Sequence, residues 1–235
     1  MFAFIIKASA ITASFRIPES HTFQQTLPLP PITTLTGLMG AALGLSFEGA
    51  MKFRREKGIL YGVRGLNKGE MRDLWKYNKV KSGESLKDVL IREYLTDVTL
   101  VIVIGSENKE SLSEVKESFS NPKYALSAGN SDDLLKVCSI GNITEVKEER
   151  WSDFENTVLP GNQTLQYESL IDLKNTPIIY KIKAPQVFLL PTEFSFTGEE
   201  RRVSRREQFT FVGSPIRLKD PIHAYRIDGF TVVLL

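Results

Sequence analysis

The chain has 235 residues, 42% hydrophobic and 25% charged, with a formal net charge of +2. That composition excludes a disordered chain and suits one domain, or one domain with a smaller appendage. A single cysteine and two histidines exclude an internal disulfide, a cysteine-rich metal site and a multi-histidine centre, so neither metal nor cofactor is expected.

Met1 to Ser9 is rich in Phe and Ile and predicts a strand in a central sheet position. Ala8-Ser9-Ala10 could pass for a signal-peptide cleavage site, but no basic segment precedes it and Lys7 breaks the apolar run. No stretch reaches membrane-spanning length, so a cytoplasmic chain without membrane contact is expected. Ile11 to Leu29, with Pro18 and Pro28, predicts a loop carrying Arg16 and His21. Pro30 and Pro31 delay a helix until about Ile32, and it then runs to about Phe47. Thr33 and Thr34 lie in its first turn, where free backbone N–H groups and the helix dipole suit a phosphate. The competing reading is an ordinary helix that Thr33 or Thr34 caps for itself. Gly37, Gly40, Ala41 and Gly44 line one face, which predicts close approach to another backbone, that of the sheet.

Ala50 to Arg64 predicts one or two basic strands, and Gly65 to Ser85 a projecting hairpin or arm that holds Lys68, Trp75, Lys76 and Tyr77. Between Gly49 and Arg92 twelve Lys or Arg face five Asp or Glu, a segregation that suits a polyanion on one face. Val98 to Ile104 predicts a core strand, Lys109 to Phe119 an amphipathic helix, Tyr124 to Leu126 a short strand, and Asp132 to Lys136 a helical turn. Cys138 reads as a small buried hydrophobe. Beyond about Ile143 the chain is β-rich, with strands expected at Ile178 to Ile182, Gln186 to Leu190, Gln208 to Val212 and Ala224 to Leu235, the last turning at Asp228-Gly229. Arg201, Arg202, Arg205 and Arg206 form a second basic group, suited to nucleic acid or an acidic partner; the plainer reading is a solvated turn.

The order strand–helix–strand–strand–helix–strand predicts an α+β chain: a ferredoxin-like, RNA-recognition-type module over 1–142, with an arm inserted at about 65–87 and a β-rich C-terminal extension over 143–235.

Three stretches together resemble one family. They are Ala13-Ser14-Phe15-Arg16-Ile17-Pro18, the run from Leu29-Pro30-Pro31-Ile32-Thr33-Thr34 to Gly44, and Arg92-Glu93-Tyr94-Leu95 before a strand. They resemble the CRISPR-associated Cas-five group of the repeat-associated RNA-binding superfamily, most closely over residues 1–50. The resemblance implies a subunit of a type I CRISPR surveillance (Cascade) complex in antiviral defence. Such a subunit holds the 5′-end handle of the crRNA and contacts the Cas-seven-type backbone subunit and the large, Cas-eight-type subunit. Through the complex it would meet target DNA.

Arg16, His21, Thr33, Thr34, Lys52, Arg54, Arg55 and Arg64 are therefore the expected RNA contacts, and Lys68, Trp75, Lys76 and Tyr77 the arm's contacts with a neighbouring protein. One branch of the family cleaves precursor RNA with tyrosine, lysine and histidine. No Lys-His pair exists here, so no catalytic residue is expected. The alternatives are a metal-free endoribonuclease and a protein-only scaffold.

Overall fold

The computed structural model describes residues 1–20, 23–81, 84–172, 174, 182–198 and 200–235. His21 and most of the strand expected at 178–182 lie outside them. The first half of the chain holds β1 (Phe2–Ala13), β2 (Phe15–Arg16), β3 (Phe23–Gln24), β4 (Thr26–Leu27), α1 (Ile32–Leu43), α2 (Phe47–Glu56), β5 (Leu60–Leu66), β6 (Gly69–Lys81), β7 (Glu84–Ser106) and α3 (Lys109–Ser120). The second half is all β: β8 (Lys136–Ile140), β9 (Thr144–Glu145), β10 (Glu148–Phe154), β11 (Thr157–Pro160), β12 (Tyr167–Ser169), β13 (Gln186–Thr197), β14 (Glu200–Val212), β15 (Ile216–Ile227) and β16 (Phe230–Val232). The protein is thus α+β, mostly antiparallel, with three helices among the described residues.

One large sheet runs β13–β14–β11–β5–β7–β1–β8. Its centre pairs Phe4 with Ile104 and Ile6 with Ile102 across β1 and β7, and Tyr61 with Ile104 across β5 and β7. These strands are apolar on both faces because both faces are covered. Phe4, Ile6, Leu100, Ile102 and Ile104 pack beneath α1 and α3, with Leu35, Met39, Leu112 and Val115. Ala3, Ile5 and Val103 point the other way, onto Tyr225, Ile227 and Val232 of a small sheet made by β10, β12, β15 and β16. The C-terminal strands also feed the main core: Leu190, Phe209 and Phe211 bury against the same cluster.

β7 is 23 residues long and serves two structures. Its second half is the core strand, while its first half pairs with β6 from Lys81–Glu84 to Gly69–Thr96 as a long hairpin. That hairpin is the projecting element expected from the Lys- and Gly-rich segment.

Several expectations need correction. Residues 47–56 are helix, not strand: Ser46 caps the helix by accepting from Gly49 N–H at 3.1 Å, and Met51, Lys52, Arg54 and Arg55 are all good helix formers. The helix expected to run to Phe47 ends at Leu43, where Gly44 takes a left-handed φ of 80° as C-cap. The glycine face of α1 meets α2 rather than the sheet: a Cβ on Gly40 would lie 2.7 Å from that of Ala50. Part of the loop expected over 11–29 is extended, because β1 continues to Ala13 and β2 pairs with β4. Tyr124 to Leu126 forms no strand, and Asp132 to Lys136 forms no helical turn; Ser127 and Leu134 instead make an isolated bridge. Cys138 is exposed, since alternation along β8 turns Val137 toward the core and Cys138 away from it.

Candidate nucleic-acid interface

α1 begins at Ile32 with Pro31 at its cap position, and no side chain caps it. Thr34 and Leu35 N–H groups donate to the Pro31 carbonyl at 2.9 and 3.1 Å. Neither Thr33 nor Thr34 caps the helix for itself; the threonine that bonds inward is Thr36, whose hydroxyl donates to the Ile32 carbonyl at 2.9 Å. Ile32 lies on the wall of a cavity it shares with Arg54, Thr192 and Arg205.

α2 carries Lys52, Arg54 and Arg55. Glu48 stands in its first turn and the two arginines in its last, an arrangement the helix dipole favours. Lys52 pairs with Glu56 one turn on, at 3.9 Å. Arg54 differs from its neighbours. It turns inward, stacks 5.6 Å from the Tyr61 ring and donates from Nη2 to the Leu235 carbonyl at 3.3 Å. Burial pulls its pKa down, against the pull of Tyr61, Glu193 and Glu207. Its Nε is buried without a hydrogen-bond partner. Tyr61 itself is fully buried, and desolvation pushes its phenol up.

The β13–β14 hairpin closes over α2. Phe47, the first residue of α2, meets Phe194 edge-on at 5.5 Å and Phe196 at 6.3 Å. The Arg201 guanidinium lies 5.0 Å from the Phe47 ring and 5.1 Å from the Phe194 ring. Beneath this clasp runs a cleft in two parts. One, about 380 Å³, is lined by Lys52, Arg54 and Arg55 of α2 against Thr192, Phe194 and Phe196 of β13. The other, about 510 Å³, continues past Arg54 and Thr192 to the start of α1 and to Arg205. Arg205 is held by Glu207 at 2.6 Å and Glu193 at 3.8 Å. Thr192 is only 6% exposed, yet its Oγ1 has no partner.

The structure therefore gathers Arg54, Arg55, Lys52, Arg205 and the start of α1 around one cleft. Other expected contacts lie apart. Arg64 pairs with Glu155 and stacks 5.5 Å from Phe230, toward the small sheet. Arg16 is exposed at the end of β2, ahead of a loop that Arg206 anchors through Glu19 at 2.6 Å. Arg202 pairs with Glu200 at 2.8 Å along β14. These arginines stand on a strand rather than in a turn, which comes at Gly198. On the arm, Lys68 meets Asp97 at 3.6 Å, the Tyr77 hydroxyl donates to Asp88 at 3.0 Å, and Lys76 is exposed. Trp75 lies under Arg92, 5.4 Å away, and Arg92 reaches Asp132 at 3.0 Å. Arg92 thus ties the arm's root to the body. Sequence reasoning missed Thr192, Phe47, Phe194 and Phe196. The alternation Phe188, Leu190, Phe194, Phe196 could have marked β13 as a longer strand, but nothing local says that it crosses α2.

The family described as CRISPR-associated protein (Cas_Cas5) matches residues 5–160. No curated protein matches. A chain of a CRISPR RNA-guided surveillance complex shares the fold at a TM-score of 0.58 and 15% identity, over 93% of this chain and 91% of its own. A CRISPR protein from Archaeoglobus fulgidus does so at 0.55 and 11%, over 99% and 98%.

Proposed function

We propose, from the premise that the chain belongs to the CRISPR-associated Cas5 family, that it is a guide-RNA-binding subunit of a type I surveillance complex and holds the 5′-end handle of the crRNA. The family match carries this reading, because it spans α1, α2, the arm and the core strands together. The likeness in fold to a chain of an RNA-guided surveillance complex supports it. So does the basic cleft, since Lys and Arg beside an open helix start give backbone contacts that position an RNA strand. The strand order β5–β7–β1–β8, with α1 and α3 on one face, supports reading residues 1–142 as a ferredoxin-like module and 143–235 as its β-rich extension. The arm at about 65–87 reaches the Cas-seven-type backbone subunit, and the large subunit docks elsewhere. The apolar Leu74, Val89 and Ile91 on the arm's exposed surface favour a protein neighbour. The chain acts in the cytoplasm, and target DNA meets it only through the assembled complex.

The subunit is non-catalytic. Metal-free RNA cleavage needs an acid and a base poised about the ribose. The sequence has no Lys-His dipeptide of the kind the RNA-cleaving branch uses, and His223 lies 3.3 Å from Glu148 on the small sheet. The test is to purify the chain with its neighbouring subunits, sequence the RNA that comes with it, and incubate the chain alone with repeat RNA. The proposal expects one repeat-derived 5′ end and intact repeat RNA. Cleavage that His21→Ala abolishes would establish an endoribonuclease instead, and an RNA-free complex would leave a protein scaffold.

A further inference from the structure

We propose that the cleft between α2 and β13 holds one phosphate of a single-stranded RNA, with the Arg54 guanidinium and the Thr192 hydroxyl as donors and the adjoining base against Phe194 and Phe196. This rests on the guide-RNA reading and names the groups that would do the holding.

Three observations carry it. First, two residues that line the cleft each hold an uncommitted donor. The Arg54 Nε and the Thr192 Oγ1 are buried without partners, and both residues line both parts of the cleft. Buried donors left unmade are costly and rare, and such groups call for an explanation in the free protein. A ligand oxygen supplies one. Second, the neighbouring carboxylates are already engaged. Glu193 and Glu207 share Arg205, at 3.8 and 2.6 Å, so Arg205 offsets one of the two charges that would repel an anion. On the α2 wall Lys52, Arg54 and Arg55 outnumber Glu48. Third, Phe194 and Phe196 form the wall opposite that basic face. A guanidinium fork and hydroxyl suit phosphate oxygens, and an aromatic wall beside them is the pairing by which single strands are held, backbone on cations and base on a ring. The start of α1 borders the same space at Ile32, with no side-chain cap in the way, and adds its dipole to the anion's side.

Thr192→Val tests this at nearly constant volume and keeps a β-branched residue in the strand. A buried hydroxyl without a partner is lost, so the free chain should melt higher. Affinity for a short fluorescein-labelled single-stranded RNA, measured by anisotropy on the full chain, should nonetheless fall about three- to tenfold. Arg54→Lys keeps the charge but removes the fork and should cost about tenfold or more. Stability and binding moving in opposite directions in Thr192→Val is the signature of a hydroxyl kept for a ligand. A higher melting point with unchanged RNA affinity would overturn the subsite while leaving the guide-RNA reading standing. Unchanged RNA affinity with weakened assembly onto the backbone subunit would overturn it in favour of an acidic protein side chain in the cleft. Failure of the unaltered chain, alone and in its complex, to bind RNA would remove both.

Discussion

Asp133 is 3% exposed, and its Oδ2 has no hydrogen-bond partner. Its other oxygen accepts from the Thr12 hydroxyl. Desolvation holds the carboxyl above the ordinary range, helped by Asp132 and opposed by Thr12 and Arg92. A carboxyl whose folded-state pKa lies above its unfolded value binds its proton more tightly when folded. Its contribution therefore favours the fold at low pH and is lost as pH rises through the folded pKa. At neutral pH the buried charge costs stability. Asp133→Asn should raise the melting temperature at pH 7 by about 2–4 °C, what ~1 kcal/mol is worth at this length. The gain should shrink as the pH falls through the carboxyl's raised pKa, where the wild-type side chain takes up its proton. Thermal melts of both proteins across that range check this; a pH-independent difference would mean that the carboxylate is not what the substitution relieves.

The contact between α1 and α2 depends on one glycine more than another. A Cβ at Gly40 would meet the Ala50 Cβ at 2.7 Å and the Leu45 carbonyl oxygen at 3.5 Å, so the two helices would have to part. At Gly37 the nearest atom is a Phe47 ring carbon at 3.9 Å, ordinary contact distance. Gly40→Ala should lower stability by about 1–3 kcal/mol through overpacking, and it would shift the wall of the cleft that α2 forms. Gly37→Ala should be neutral or stabilising by up to ~1 kcal/mol, from helix propensity alone. Urea denaturation of the pair gives the comparison; equal effects would contradict the close approach. Gly37 and Gly40 were legible as a packing face, but not their partner, because α2 was read as strand. Phe53, Ile59, Tyr61 and Val63 have β character, and Gly49 lowers helix propensity, so Ala50 to Arg64 reads as extended; the Ser46 cap and the Lys52–Glu56 spacing were the weaker signals that held. Strands with long β-branched runs, such as Val98 to Ile104, and helices with clear stripes, such as α3, were read directly. So was the helix start just after Pro30-Pro31. The cleft was half legible. Its basic half is contiguous in sequence, whereas Thr192 and Phe194 reach it only through pairing between β13 and β14, which local pattern does not encode.

At the scale of the whole molecule, a three-layer body carries a long hairpin. α1 and α3 cover one face of the large sheet and the β10–β15–β16 group the other. The hairpin leaves that body beyond Trp75 and Arg92, where the last ties to Asp132 are made. If the hairpin serves assembly and the cleft serves RNA, the two can be separated. Removing residues 77–88 and joining the paired Lys76 and Val89 by an Asn-Gly turn keeps the register of the remaining strands. The shortened chain should bind RNA within about twofold of the full chain, yet fail to co-elute with the backbone subunit in size-exclusion chromatography. An equal loss of both would place RNA on the arm.

The account stands on RNA binding through a compact set of cations around the cleft, and salt reads that directly. Each phosphate contact neutralised by Lys or Arg releases condensed counterions, so the logarithm of affinity falls linearly with the logarithm of salt concentration. The measurement is the anisotropy titration of handle-containing single-stranded RNA against the full chain over a range of salt, repeated with Lys52→Gln/Arg55→Gln. The account predicts a steep negative slope for the wild type and a slope shallower by about 1–2 in the double variant, at ~0.7 per contact on a single strand. A flat salt dependence, or a slope the double variant leaves unchanged, would contradict it.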